Sequence, residues 1–153
     1  MLIKTKNLKE FESVALGFAK KLRANTQGAT VVLLSGDLGA GKTTMAQTIG
    51  KRFGVEKLMQ SPTFVIMRNY NLLPTTSNLP SDFSHLVHID AYRLESESEI
   101  EKLGFQEIIT SPKNLVLIEW PEKIKKILPR KSFKVLIKHI NENERLIEID
   151  RSF

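Results

Sequence analysis

The sequence contains no cysteine. A disulfide framework, a thiolate metal site and a catalytic thiol are therefore all excluded. Long apolar runs are missing too: stretches such as Val31–Leu34 and Leu115–Ile118 stop at four residues, against the roughly 20 that a membrane span needs. The first ten residues mix Lys4, Lys6 and Lys9 with polar groups and contain no apolar core of a secretory signal. That pattern predicts a cytoplasmic protein with no membrane association. Neither a repeat nor a low-complexity tract is present, and no arginine-rich, aromatic-interleaved stretch marks a dedicated nucleic-acid motif.

What is present is an ordinary globular composition, 41% hydrophobic and 26% charged over 153 residues, which predicts one domain spanning 1–153. The net charge of +6 is unevenly spread. Residues 1–60 carry ten basic and four acidic side chains, residues 61–120 four and eight, and residues 121–153 nine and five. Basic ends around an acidic middle suit either a solvated surface or contact with RNA or an acidic protein.

Apolar residues at helical spacing (Phe11, Val14, Ala15, Phe18, Ala19, Leu22) predict a helix over 8–24 with Asn7 as its cap. Residues 29–35 are apolar on both faces and predict a buried, parallel strand. A glycine-punctuated loop, 36–41, leads into a helix over 42–53 that Gly54 ends. Strands are expected at 63–70 and 86–89, paired across a Pro/Ser/Thr/Asn-rich loop at 71–84. Ser96 or Ser98 opens an acidic helical turn, and Pro112 ends that region. Another buried strand at 114–119 precedes a short basic helix at 122–128 and a hairpin of strands 133–140 and 145–151. The whole predicts an α/β fold: a largely parallel central sheet with antiparallel additions and helices on both faces.

The segment Gly36-Asp37-Leu38-Gly39-Ala40-Gly41-Lys42-Thr43 matches G-x-x-x-x-G-K-[ST], the phosphate-binding P-loop. Glycines let successive amides turn toward one point, and the helix that follows adds the positive end of its dipole. The expected nucleotide contacts are Asp37 to Thr44, with Lys42 on the β- and γ-phosphates of a nucleoside triphosphate and the Thr43 hydroxyl on Mg²⁺. Catalysis needs acids at the C-terminal ends of apolar strands. Glu119 follows Leu115–Ile118 and reads as the Walker B acid, and Asp90 follows Leu86–Ile89 in the same position. Both are candidate metal ligands or water-activating groups. A GTPase would carry Asp-x-x-Gly and Asn-Lys-x-Asp, but Asp90 is followed by Ala91-Tyr92-Arg93 and the second motif is absent. A AAA-type module would run longer. A small-molecule kinase stays open, although Arg93 is the only arginine between 69 and 129 from which to build a lid.

Three further signatures narrow the field: Ser61-Pro62-Thr63-Phe64, His88-Ile89-Asp90-Ala91-Tyr92-Arg93-Leu94 and Glu119-Trp120-Pro121-Glu122. In this order, together with the P-loop, they make residues 8–129 resemble the bacterial TsaE (YjeE) family. The resemblance implies an ATPase, auxiliary to the threonylcarbamoylation of adenosine 37 in tRNAs that read codons starting with A. It implies work with the TsaB–TsaD pair, ATP and Mg²⁺ as cofactors, and weak activity alone. It further implies that Lys42, Asp90 and Glu119 are catalytic, that Thr43, Glu119 and Asp90 serve the metal, and that Ser61 and Thr63 form a switch-like segment. Trp120 would pack beside the site or contact nucleotide or partner, His88 would be structural, and Arg93 would face phosphate or partner. The adenine would lie near Thr5–Lys9 and Asn143–Arg145. Ala91 departs from the leucine common in the family, and loop 71–84 is longer than typical. Two alternatives remain: a small-molecule kinase, which would yield a phosphorylated product, and a binding module in which ATP only switches affinity for a partner. Contact with tRNA would be indirect or through the basic ends.

Overall fold

A computed structural model of the chain describes residues 1–55, 59–72 and 82–152. Residues 73–81 of the predicted loop lie outside them.

The buried strands set the architecture. In β2 (Thr30–Ser35), Val32 and Leu34 enter one apolar cluster while Val31 and Leu33 enter another. A strand apolar on both sides must be covered on both sides. Strand β2 pairs in parallel with β5 (Asn114–Glu119) and β6 (Ser132–His139), and β5 pairs in parallel with β4 (His85–Asp90). Antiparallel strands complete the sheet: β7 (Arg145–Ser152) on β6, β1 (Leu2–Thr5) on β7, and β3 (Met67–Asn71) on β4. The order is β1-β7-β6-β2-β5-β4-β3.

One face is covered by α1 (Leu8–Ala19) and α2 (Lys42–Arg52) through Phe11, Ala15, Phe18, Met45 and Ile49. The other is covered by α3 (Glu97–Glu101), α4 (Phe105–Thr110) and a 3₁₀ segment, Pro121–Ile127, through Ile100, Phe105 and Ile124. The fold is thus the single α/β domain expected. No helix among the described residues is long and apolar enough to cross a membrane.

Several boundaries differ from the periodicity. The Asn7 side chain caps α1 by accepting from the Glu10 amide at 2.9 Å, but the helix ends at Ala19. Beyond it the amides of Lys21 and Leu22 reach back only three residues, to Phe18 and Ala19. Leu22 nevertheless stays buried, which is why it kept the helical period. Strand β3 starts at Met67 because the Pro62 carbonyl accepts from both the Val65 and Ile66 amides. The resulting turn holds Ile66 at φ +65°. The predicted pairing of β3 with β4 is present from Met67↔Ile89 to Asn71↔His85. Strand β1 has no periodic signal: only Thr5 in it is buried.

Because β2, β4 and β5 run in parallel, their C-terminal ends share one edge. There Leu34 and Asp90 both stand opposite Glu119. In open α/β sheets this edge is where ligands bind.

Candidate active site

The loop between β2 and α2 depends on its glycines. Gly36, Gly39 and Gly41 have φ of +140°, +76° and +115°, conformations that side-chain-bearing residues strain to adopt. At Gly36 a Cβ would also collide with the backbone carbonyl oxygen of Ile137 on the neighbouring strand. Gly36→Ala is therefore expected to cost at least about 1–3 kcal/mol from backbone strain, read as a lower urea midpoint with an unchanged slope.

Asp37, Leu38 and Gly39 are exposed at the loop tip, Ala40 is buried, and Gly41, Thr43 and Thr44 are half-buried. The arrangement aims the first turn of α2 at the loop's interior, a setting suited to an anion. Lys42 is 4% exposed. Its ammonium donates to the carbonyls of Gly36 at 2.6 Å and Asp37 at 2.8 Å and lies 3.9 Å from the centre of the Trp120 ring. Burial holds its pKa below the ordinary lysine value, while Glu119, Glu122, Asp90 and Asp37 act in the opposite direction.

Glu119, at the end of β5, is 2% exposed. The Thr43 hydroxyl lies 3.0 Å from each of its oxygens, although the two residues are 76 apart in sequence. The Nε2 of His88, fully buried on β4, donates to Glu119 Oε1 at 2.8 Å. Its Nδ1 is buried with no hydrogen-bond partner among the described residues. His88 thus holds the carboxylate against Thr43, a contact that reading it as a plain strand residue did not contain.

Asp90 is held from the other side. Thr63 donates to its Oδ2 at 2.7 Å and Ser61 at 3.4 Å, and the two hydroxyls lie 2.6 Å apart. The Tyr92 amide donates to Oδ1 at 3.0 Å. The 61–66 turn therefore anchors to the carboxylate at the strand end. Its tip, Phe64, is 82% exposed and lies under the Arg93 guanidinium at 4.4 Å. Arg93 is accordingly engaged by a ring and not by the P-loop. Trp120 adopts φ +58°, its amide donates to Leu34, and its ring meets Tyr92 at 4.9 Å.

Arg145 carries no motif, yet it braces the loop. Its Nε donates to the Ala40 carbonyl at 3.0 Å, and Nη1 donates to the carbonyls of Asn141 at 2.7 Å and Glu144 at 3.0 Å. The segments expected near the adenine do meet: Thr5 pairs with Arg145, and Lys4 lies 3.0 Å from Glu144. No group of three or more His, Cys, Asp or Glu side chains able to hold a metal exists among the described residues. A cation here would need oxygens from the Thr43 hydroxyl, a carboxylate and the ligand's own phosphates. That is the donor set Mg²⁺ accepts, and the Thr43–Glu119 pair fits it.

The family model described as "Threonylcarbamoyl adenosine biosynthesis protein TsaE" matches residues 6–147. A tRNA threonylcarbamoyladenosine biosynthesis protein TsaE of Rickettsia felis is 40% identical over 144 residues, 94% of this chain and 75% of that one. The protein of the same name from Bacillus subtilis is 36% identical over 131 residues, 84% and 74% of the two chains. The crystal structure of Bacillus subtilis YdiB aligns at a TM-score of 0.73 and 27% identity, covering 99% of this chain and 84% of its own. A family model matched over almost the whole chain, and relatives this similar over this much of their length, place the chain in one family: it belongs to the TsaE family.

Proposed function

We propose that the chain is a cytoplasmic Mg²⁺-dependent ATPase serving the threonylcarbamoylation of adenosine 37 in tRNAs that read codons starting with A, working with a TsaB–TsaD pair. The relatives' names supply the pathway. One observation carries the chemistry: the P-loop hydroxyl of Thr43 lies 3.0 Å from both oxygens of the buried Glu119, with Asp90 in register on the next strand.

In this reading the amides of 37–44 cradle the phosphates. Lys42 leaves the Gly36 and Asp37 carbonyls for the β- and γ-phosphates, whose charge exceeds that of two dipoles. Bound Mg²⁺, held by Thr43, Glu119 and Asp90, would supply charge neutralisation on the phosphate oxygens. His88 keeps Glu119 facing Thr43. Asp90 orients the attacking water once Thr63 and Ser61 release it, so the 61–66 turn acts as the switch. Because Phe64, at the tip of that turn, and Arg93 beside it are exposed, a partner that grips them can bias that release. Activity of the chain alone is therefore weak, as in enzymes whose partner completes the site.

The test is phosphate release from ATP with and without TsaB–TsaD. The pair is expected to raise the rate at least about tenfold, a change of about 1.4 kcal/mol in the barrier. An unchanged rate, with ATP consumed only when a small-molecule acceptor is present and phosphorylated, would replace this reading with a kinase.

A further inference from the structure

The other end of the sheet has a cavity that the chemistry above leaves unused. Two stretches of the sequence are free of acidic residues: 13–36, with Lys20, Lys21 and Arg23, and 123–141, with seven lysines and arginines. They lie about a hundred positions apart, and the sheet brings them side by side because β2 and β6 start as parallel neighbours. Between the lead-ins to those strands lies a cavity of about 600 Å³.

Its rim carries four exposed cations, Lys21, Arg23, Arg130 and Lys131, and among the described residues no carboxylate lines it. Among the described residues none of the four forms an ion pair. Lys131 reaches across to the Gln27 side chain at 3.3 Å, and the Arg23 guanidinium is pinned by the Lys20 and Leu22 carbonyls at 2.7 and 2.8 Å. The amide side chains of Asn25 and Gln27 share the wall. The P-loop lies at the opposite end of β2, about 17 Å away at roughly 3.3 Å per residue.

We infer that this cavity is a second anion site, which takes the phosphodiester backbone of RNA. The inference rests on the reading that the chain serves tRNA. Four cations around a concave surface, none ion-paired and with no acid lining it among the described residues, and with amide donors between them, match a run of phosphates. A surface evolved only for solubility has no need to gather positive charge from two remote stretches into one hollow, since self-repulsion opposes it. An acidic protein segment would find the same charges, but the pathway offers an RNA. The site positions and carries no base code, so affinity is expected to be insensitive to sequence.

The experiment is binding of a tRNA transcript to the full chain without nucleotide, across a salt series. With about four phosphates engaged, log affinity is expected to fall with log salt at a slope of about −3. The double variant Arg130→Gln/Lys131→Gln is expected to bind about tenfold or more weakly and to lose about two units of slope; Lys21→Gln alone is expected to lose about one. A control pair, Lys51→Gln/Lys102→Gln, exposed and outside the cavity, is expected to leave both unchanged. The slope is a readout that a purely structural effect would not move. All these variants are expected to release phosphate from ATP as the parent does. A parent that fails to bind RNA at low salt, a slope unaltered in the double variant, equal loss in the control pair, displacement of the RNA by inorganic phosphate at matched ionic strength, or retention of polyglutamate in place of RNA would each overturn the inference. Absence of ATP hydrolysis in the parent would instead overturn the proposed function, and the RNA titration would be read independently of it.

Discussion

Lys42→Met is expected to abolish ATP hydrolysis, lowering it by about 10²–10³-fold or more, and to weaken ATP binding about a hundredfold, while the melting temperature holds or rises. The two halves of that result have one cause. Lys42 is buried, and burial disfavours its charged form. Without a ligand the ammonium's direct contacts among the described residues are two carbonyls and the Trp120 ring, with nearby carboxylates favouring its charge from farther off. Lys42 forms no salt bridge among the described residues, so an apolar side chain of similar length removes the desolvation cost of the charge without breaking an ion pair. The charge therefore costs the empty protein and pays back only when phosphate is present. Measured together, calorimetric melting and phosphate release separate the two effects. A variant that melts well below the parent would mean that the lysine's contacts stabilise the loop, and loss of hydrolysis would then say nothing about phosphate.

Glu119→Gln is expected to keep ATP bound and to lower hydrolysis by about 10²–10³-fold. The amide retains the shape of the carboxylate. Its oxygen can still accept from His88, and its NH₂ can donate to the Thr43 hydroxyl, so the packing of this buried trio survives. Only the negative charge disappears. Equilibrium dialysis with ATP and a phosphate-release assay on the same preparation test this. Hydrolysis at the parental rate would remove Glu119 from the chemistry. If instead the variant still supports threonylcarbamoylation with the partner pair while releasing no phosphate, turnover is incidental and ATP acts only as a switch for binding.

Much of the site is legible in the sequence because it is local. The loop 36–43 needs three glycines at positive φ and a helix immediately after them, and eight consecutive residues state that requirement. The strand ends at Asp90 and Glu119 are equally local: Glu119 closes an apolar run of four, and Asp90 closes a four-residue strand core that is apolar except for His88. Other features misread because the local signal pointed elsewhere. Leu22 keeps the helical period although α1 has ended, since burial and not helicity places it. Thr63–Ile66 looks like strand by composition, yet Pro62 turns it and Thr63 spends its hydroxyl on Asp90.

By itself, then, the sequence determined the α/β class, the P-loop and the two carboxylates, since each is a property of a short contiguous segment: glycine freedom, a continuous apolar run, a charge at the end of a strand. Only the tertiary structure decided which of these groups touch. Thr43 meets Glu119 across 76 positions, His88 meets Glu119 across 31, and Arg145 braces Ala40 across 105. The two acid-free stretches come together in the same way at the opposite end of the sheet. Such contacts depend on strand order and register, which arise from packing the whole sheet between its two helical layers; no local pattern encodes them, because a side chain carries no record of which strand becomes its neighbour.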